Sequence, residues 1–189
     1  LIKVFGKPIL YYLLEQLNLN IIKYIYIPYN SEYSNYNFES LLKKDFPTIN
    51  FKFFKLKNNT RGALETLYIS LKNLNIDQNI PVLSLDSDNF YLNDIVSLWN
   101  GQNCIFTIKD YTDNPIYSYL KVKNNKVFDI AEKIKISDNA CTGAYGFSSL
   151  KKLLKYSKII IDNNIKQKNE FYISGLIKLM IENKIIFKN

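Results

Sequence analysis

VLSLDSDNF, at residues 82–90, is an apolar run followed by two carboxylates that stand one residue apart. A short continuous apolar run is typical of a buried strand in an α/β sheet, and such sheets bind ligands just beyond the carboxyl ends of their strands. Asp86 and Asp88 are therefore predicted to lie at the edge of a site, where they can hold Mg²⁺ together with substrate phosphates. Asp, Ser and Asn are also common turn residues, so a solvated turn is the alternative interpretation.

The composition predicts a single globular domain over residues 1–189, with 47% hydrophobic residues. No apolar stretch is long enough to cross a bilayer and no signal peptide is recognisable, so we expect a cytoplasmic protein with no membrane partner. Cys104 and Cys141 have no metal-ligand spacing and are expected to be small buried hydrophobes. The absence of histidine excludes Ser-His-Asp and Cys-His nucleophilic schemes, and any histidine metal site, within this sequence.

The net charge of +8 is compatible with anionic small-molecule partners. The lysines are scattered along the chain, and the bias towards Ile, Asn, Lys and Tyr is typical of an AT-rich genome. RNA-binding signatures are absent, so we expect nucleotides and sugar phosphates as partners and no polynucleotide.

The hydrophobic periodicity changes half-way along the chain. The first half alternates between helix and strand, which favours a parallel sheet covered on both faces. Its predicted elements are a helix from Pro8 to Leu17, a strand at 21–27, a helix at 38–46, a strand at 50–56, a helix at 60–74 and a strand at 80–85. The second half is mostly strands, predicted at 104–109, 117–122, 127–132 and 140–147, before helices near 150–156 and 170–183. Asn124-Asn125 is a good hairpin turn. We expect both halves to share one mixed sheet.

Four short segments follow one another in a recognisable order: LIKVFGKPIL (1–10), NTRGA (59–63), Asp86-Ser87-Asp88, and AEK (131–133) with NACTGAYGF (139–147). Together they resemble the sugar-1-phosphate nucleotidyltransferase family and the related choline-phosphate cytidylyltransferases, over nearly the whole chain. The resemblance implies an α/β fold: a Rossmann-like, three-layer (GT-A-like) domain with a mixed, mainly parallel sheet. It also implies transfer of a nucleotidyl group from an NTP to a sugar 1-phosphate or phosphocholine, with Mg²⁺ as cofactor and release of pyrophosphate.

The nucleotide side of the implied site comes from two of these segments. Gly6-Lys7-Pro8 resembles the element that packs against the family's nucleotide-binding loop. Thr60, Arg61, Gly62 and Ala63 resemble the turn beside the nucleobase, where a glycine lets the backbone approach a flat base and helix N-terminal amides favour acceptors. Arg61 departs from the commonest pattern and is expected to stack on the base or contact a phosphate. A plain helix start capped by Thr60 is the alternative.

The metal and catalytic residues are carried over in the same way. Asp88 matches the family's metal-binding aspartate, with Ser87 where glycine is usual, and Asp86 stands where asparagine is frequent. Lys133 is expected to bind the acceptor phosphate. Lys133 and Asp88 are the two residues expected to be catalytic. The proline that commonly follows the family's Glu-Lys pair is replaced by Ile134.

The acceptor side is completed by four further residues. Glu132 is expected to receive the hydroxyls of the sugar, and Thr142 and Gly143 correspond to the stretch behind the sugar ring. Glu170 resembles the family's acidic segment before a late helix; its alternative is an ordinary acid at a helix N-terminus, favoured by the helix dipole. A Glu-Lys pair outside the family context would be an ordinary solvated pair.

Two alternatives to nucleotidyl transfer remain open from the sequence. Asp86-Ser87-Asp88 also satisfies the Asp-x-Asp pattern of GT-A-type glycosyltransferases, and a non-catalytic nucleotide-binding module is the third hypothesis. The family's glycine-rich loop would precede Leu1 and its second metal-binding acid would follow Phe187, so the resemblance predicts a chain trimmed at both ends. The base, the acceptor and the oligomeric state are not fixed by the sequence.

Overall fold

The computed structural model of the protein describes residues 3–189, so Leu1 and Ile2, which begin the segment with Gly6-Lys7-Pro8, lie outside the described residues. The chain forms two compact units. The first runs to Thr60 and includes Ser87–Asn100, and the second contains Arg61–Asp86 and Gly101–Asn189. The single-domain organisation stays a prediction.

The helices and strands are short and are numbered in chain order. They are β1 (Lys3–Val4), β2 (Lys7–Pro8), α1 (Ile9–Gln16), β3 (Ile25–Asn30), α2 (Phe38–Asp45), β4 (Phe51–Leu56), α3 (Ala63–Leu71), β5 (Val82–Leu85), α4 (Ile95–Leu98), β6 (Cys104–Lys109), β7 (Ser118–Lys123), β8 (Lys126–Glu132), β9 (Asn139–Phe147), α5 (Leu150–Asp162), α6 (Ile173–Glu182) and β10 (Phe187–Lys188).

The first unit contains a parallel strand pair. β3 pairs with β4, with Ile25 opposite Phe51. Strand β3 begins later than predicted because a 3₁₀ turn at Leu19–Ile21 precedes it. Lys7, in the segment resembling the family's Gly-Lys-Pro element, forms an ion pair with Glu15 within this unit.

The second unit is built on a six-stranded mixed sheet in the order β5-β9-β6-β10-β8-β7, in which β9 also pairs with β7. A mixed α/β fold is therefore confirmed, but a mainly parallel sheet is not. Within residues 3–189, the only parallel pairing of this sheet joins β10 to β6, and its other pairings are antiparallel. The chain between β6 and β9 contains the β7–β8 hairpin and no helix, whereas parallel neighbours are usually joined by a crossover helix.

The predicted hairpin turn is confirmed. Asn124 and Asn125 join β7 to β8 with positive φ angles of 50° and 59°. Positive φ at both central residues is the requirement of a type I′ turn, which asparagine tolerates better than most residues do. This turn places Ser118 opposite Glu132 at the far end of the hairpin.

Helices α3, α5 and α6 contact one another, and α6 packs on β8. Helix α5 extends to Asp162, beyond the predicted end, and α6 begins at Ile173, three residues later than predicted. The largest fully buried side chains of the second unit come from both the sheet and the helices: Leu64, Ile105, Tyr119, Leu120, Ile130, Phe147, Leu150, Leu153, Ile160, Phe171 and Phe187.

Both cysteines belong to the second unit and neither forms a disulfide. Cys141 is buried and Cys104 is half-buried, and burial raises their pKa values to about 12 and about 11. Such thiols stay protonated near neutral pH. The predicted small buried hydrophobe is confirmed for Cys141, whereas Cys104 is only half-buried. None of the helices within residues 3–189 has the length and apolar character needed to span a membrane.

Candidate functional site

The turn before α3 differs from a helix start capped by Thr60. Helix α3 begins at Ala63, and Gly62 holds the capping position with a φ of +136°. The carboxylate of Glu65 accepts a hydrogen bond from the backbone N–H of Arg61, the residue before the cap, at 2.6 Å. Thr60 belongs to the first unit, whereas Arg61, Gly62 and Ala63 belong to the second.

Gly62 is required by the close approach of Phe171. A Cβ at position 62 would lie 2.6 Å from the Phe171 carbonyl oxygen and 2.7 Å from its nitrogen. The Phe171 N–H donates to the Arg61 carbonyl at 2.9 Å, and the Leu64 N–H donates to the Phe171 carbonyl at 3.0 Å. The turn before α3 and the segment before α6 are thus joined backbone to backbone.

The side chain of Arg61 has partners within this joint. Its guanidinium donates to the carboxylate of Glu65, with Nε 3.0 Å from Oε1, and lies 4.7 Å from the centre of the Phe171 ring. This hydrogen bonding lowers the pKa of Glu65. About half of the Arg61 side chain, 51%, is still exposed. The structure therefore assigns Arg61 a structural contact that the sequence did not predict, and its expected contact with a base or phosphate remains a prediction.

Gly143 lies directly against Asp86. The Asp86 N–H donates to the Gly143 carbonyl at 2.9 Å. A Cβ at position 143 would stand 2.3 Å from Oδ2 of Asp86, and Gly143 has a φ of +76°. The Asp86 side chain therefore occupies the space that a side chain at position 143 would need, and the expected place of a sugar ring beside Gly143 stays a prediction. Beside it, the Thr142 hydroxyl donates to the Phe106 carbonyl at 2.9 Å, where the register between β6 and β9 shifts.

Glu132 is a buried acid with two hydroxyl donors. It ends β8, and 7% of its surface is exposed. Its Oε2 accepts a hydrogen bond from Ser118 on β7 and another, at 2.7 Å, from Ser174 on α6. Because a buried carboxylate is costly unless it is hydrogen-bonded, these two serines help to keep Glu132 at this position.

Lys133 turns away from the sheet immediately after Glu132. It adopts a φ of +51°, and its backbone N–H donates to the Tyr117 carbonyl at 2.9 Å. Its Nζ lies 3.3 Å from the Tyr172 hydroxyl and 5.3 Å from the centre of the Tyr172 ring. The Tyr172 hydrogen bond raises the pKa of Lys133, and the charges of Glu132 and Glu170 act in the same direction. Lys133 is therefore a cation at neutral pH, held at a half-buried position.

Asp86 and Glu132 act electrostatically on the same part of β9. Burial raises the pKa of Cys141 to about 12, and the charges of Glu132 and Asp86 raise it further. Burial also raises the pKa of Tyr145 well above its ordinary value, with the same two carboxylates contributing. The second unit thus brings Asp86, Gly143, Glu132 and Lys133 to one region around β9 and the end of β8.

Two further predicted site residues, Asp88 and Glu170, are exposed. Asp88 is exposed in the turn that follows β5 and is part of the first unit. Glu170 is exposed in a turn closed by Gln167, which exchanges two backbone hydrogen bonds with it. Since α6 begins at Ile173 and has no acid in its first turn, the helix-dipole alternative for Glu170 is not supported.

The sequence analysis did not predict the residues that hydrogen-bond to, or pack against, the predicted site residues. These are Glu65, Ser118, Gln167, Phe171 and Ser174. Only Ser174 carried a usable signal, because it is a polar residue on the buried face of α6, beside Ile173 and Ile177. A hydroxyl on an otherwise apolar helix face indicates a buried polar partner.

The described residues offer carboxylates but no preassembled metal cluster. Within residues 3–189, no group of three or more His, Cys, Asp or Glu residues could hold a metal ion. Asp86 and Asp88 nevertheless have the donor atoms that Mg²⁺ prefers, and this ion commonly uses one or two carboxylates with substrate phosphates as its other ligands. The carboxylate oxygens of each residue are thus of the kind that suits Mg²⁺, and a metal site at Asp86 and Asp88 stays a prediction.

Comparison with known proteins gives matches at the level of structure. The sequence matches no protein-family model and no curated protein. The structure is similar to that of the nucleoside-diphosphate-sugar pyrophosphorylase from Vibrio cholerae RC9, with a TM-score of 0.82 and 20% identity, over 99% of this chain and 80% of that one. The inositol-1-phosphate CTP transferase from T. maritima gives a TM-score of 0.73 and 13% identity, over 99% of this chain and 74% of that one.

A third solved structure extends the comparison to a cytidylyltransferase. CTP:phosphocholine cytidylyltransferase from Streptococcus pneumoniae matches with a TM-score of 0.69 and 18% identity, over 100% of this chain and 77% of that one. The names of the last two neighbours specify CTP as the nucleotide, with inositol 1-phosphate and phosphocholine as different acceptors. The protein shares the mixed α/β fold of these nucleotidyltransferase structures, and the likeness that the sequence motifs predicted is confirmed at the level of the fold.

Proposed function

We propose that the protein transfers a nucleotidyl group from an NTP to a sugar 1-phosphate or to phosphocholine, with release of pyrophosphate. The observation that carries the proposal is the adjacent pair Glu132 and Lys133 at the end of β8: a buried hydrogen-bonded acid beside a cation held by Tyr172. The fold adds support, because its structural neighbours bear the names of enzymes of this class. Fold alone does not establish an activity, so the site residues must be tested directly.

In this reaction a phosphate oxygen of the acceptor attacks the α-phosphorus of the NTP and pyrophosphate leaves. Such a transfer depends mainly on positioning and charge stabilisation. Lys133 binds the acceptor phosphate, and its contact with Tyr172 limits the positions of its Nζ. Glu132 accepts hydrogen bonds from acceptor hydroxyls, while Thr142 and Gly143 form the neighbouring wall and Glu170 is a further acceptor contact.

On the nucleotide side, we assign Thr60, Arg61, Gly62 and Ala63 to the base. Asp88 and Asp86 are the proposed ligands of Mg²⁺, which supplies charge neutralisation at the phosphates when bound. A Rossmann-like three-layer arrangement is part of the same proposal.

The test is a pyrophosphate-release assay on the protein as encoded by its gene, with each of the four NTPs offered with glucose 1-phosphate or phosphocholine. We expect release with at least one pair in the presence of Mg²⁺. Lys133→Met and Asp88→Asn are expected to lower kcat/KM by at least about a hundredfold, the range seen when one charge-stabilising group is lost. Lys151→Met removes an exposed lysine of α5 and is the matched control, expected to stay within about twofold of wild type.

The same assay separates the alternatives. Asp86-Ser87-Asp88 also fits the Asp-x-Asp pattern, so a nucleotide-sugar should be offered as well. Release of a nucleoside diphosphate without pyrophosphate would identify a glycosyltransferase and overturn the proposal. Nucleotide binding without either product would favour a non-catalytic module.

A further inference from the structure

We propose that Ser174 is a positioning residue: together with Ser118 it fixes one oxygen of Glu132, so that the other oxygen is presented to the acceptor. The inference rests on the proposed function and deepens it, since it states how the acceptor side of the site is ordered. Ser174 is 1% exposed and therefore acts through Glu132.

The two serine hydroxyls converge on the same carboxylate oxygen. Ser118 Oγ and Ser174 Oγ both donate to Oε2 of Glu132, the latter at 2.7 Å. They come from different elements, because Ser118 is the strand partner of Glu132 across β7–β8 and Ser174 lies near the start of α6. Donors on two separate elements restrict the rotation of the carboxylate more than one donor would.

The second oxygen of Glu132 is left for another partner. Within the described residues, Oε1 of Glu132 receives no hydrogen bond. No buried side-chain nitrogen or oxygen in residues 3–189 lacks a hydrogen-bond partner, so Oε1 belongs to the 7% of Glu132 that is exposed. A carboxylate oxygen in this state is an acceptor for a hydroxyl of a bound ligand.

Gln167 is a second, weaker acceptor for the Ser174 hydroxyl. Oγ of Ser174 lies 3.1 Å from Oε1 of Gln167 and 2.7 Å from Oε2 of Glu132. A serine hydroxyl has one proton, and the shorter, charge-assisted contact with the Glu132 carboxylate is the stronger of the two. The proton of Ser174 is therefore directed mainly at Glu132.

Ser174→Ala removes one of the two bonds to Oε2 and leaves Glu132 in place. We expect the KM for the acceptor to rise about tenfold, the effect of losing one hydrogen bond to a charged group. The KM for the NTP and kcat are expected to stay within about twofold of wild type, because neither depends on Oε1. A general loss of structure would not produce this split between the two substrates.

The matched control is Ser157→Ala. Ser157 is also a fully buried helical serine, but its hydroxyl donates to the Leu153 carbonyl of its own helix, at 2.7 Å. All three kinetic constants of this variant should stay within about twofold of wild type. Ser174→Thr retains the hydroxyl and should bring the acceptor KM back towards the wild-type value.

The measurement is steady-state pyrophosphate release by the protein as encoded by its gene, with glucose 1-phosphate and phosphocholine as the acceptor probes. If Ser174→Ala does not fold, Ser118→Ala carries the same test from a strand. Unchanged acceptor KM in a folded, active variant overturns the positioning role and leaves the proposed function standing. No pyrophosphate release by the wild-type protein overturns the proposed function, and the positioning role falls with it.

Discussion

At the scale of single residues, glycine is needed where a neighbour occupies the space of its Cβ. A Cβ at Gly143 would lie 2.3 Å from Oδ2 of Asp86, and its φ of +76° disfavours any other residue. We expect Gly143→Ala to lower the free energy of unfolding by about 2 kcal/mol, since strain and a clash add together. Urea unfolding of the purified protein measures the loss.

Gly175 provides the matched control for this substitution. It lies in α6, and a Cβ there would be 3.6 Å from the Gln167 side chain, which is ordinary contact. Gly175→Ala should leave stability unchanged or raise it by up to about 1 kcal/mol, because alanine is the better helix former. Equal urea midpoints for the alanine variants of Gly143 and Gly175 would contradict the explanation.

Asp110 predicts a pH dependence of stability. It is 7% exposed and accepts hydrogen bonds from the Tyr119 hydroxyl at 2.6 Å and from the Thr112 N–H at 2.9 Å. These hydrogen bonds lower the pKa of Asp110 to about 2, and the bond from Tyr119 has the largest effect. Because this value lies below that of the unfolded chain, about 3.9, the stabilisation is complete above about pH 4 and is lost as the pH falls towards 2.

The variant Asp110→Asn tests this argument. It should be less stable than wild type at pH 7, and the difference should shrink as the pH falls from about 4 towards 2. Urea unfolding at a series of pH values gives the result. Asp113→Asn, at an exposed position in the same loop, is the control. A difference for Asp110→Asn that is constant from pH 7 to pH 3 would show that the charge of Asp110 is not the cause.

At the scale of elements, Gly62 joins the start of α3 to the segment before α6. A Cβ at position 62 would meet backbone atoms of Phe171 at 2.6 and 2.7 Å, and backbone cannot move aside as a side chain can. We expect Gly62→Ala to cost more stability than Gly143→Ala, above about 2 kcal/mol. Hydrogen exchange should show faster exchange of the Leu64 and Phe171 amides, which bond across this joint.

Two measurements on Gly62→Ala, the urea midpoint and the exchange of the Leu64 and Phe171 amides, decide this prediction. If Gly62→Ala unfolded at the wild-type urea concentration with both amides still protected, the joint would not depend on glycine. Gly175→Ala again serves as the control, since it adds the same methyl group without a clash.

The sequence predicts elements well where periodicity and turn chemistry agree. Strand β6 occupies the predicted residues 104–109, and the Asn124-Asn125 turn forms as predicted. Strand direction was predicted less well, because alternation of apolar residues fixes which face is buried but not which strand lies alongside. The pairing of β10 with β6 and β8 involves a strand of two residues, too short to give any periodic signal.

In the candidate site, too, the sequence predicted some residues and missed others. Carboxylate, lysine and glycine residues in motifs pointed to Asp86, Gly143, Glu132 and Lys133, and the second unit brings these four to one region. The residues that hydrogen-bond to these four could not be predicted from the sequence. Ser174, for example, lies 42 residues from Glu132 along the chain, and no sequence motif links a serine to a carboxylate at that separation. Long-range partners of a buried acid depend on the packed fold, which local patterns do not encode.

At the scale of the whole molecule, the net charge of +8 favours anionic ligands. Attraction between exposed charges is screened over about 8 Å at physiological ionic strength. We therefore expect nucleotide affinity to fall as salt is added. The fall should be smaller than for a polynucleotide-binding protein, whose affinity depends on many phosphate contacts at once.

The final prediction concerns stabilisation of the folded protein by a bound nucleotide, because this effect detects binding even when no reaction takes place. A ligand at a hundred times its dissociation constant stabilises the folded state by about 2.7 kcal/mol. An NTP with Mg²⁺ should therefore raise the unfolding temperature, and a chelator should remove the Mg²⁺-dependent part. Asp88→Asn should lose that part as well, whereas Asp113→Asn, an exposed carboxylate in the second unit, should retain it. Equal shifts in both variants would exclude Asp88 as a ligand of the proposed Mg²⁺. A shift without pyrophosphate release would identify a nucleotide-binding module.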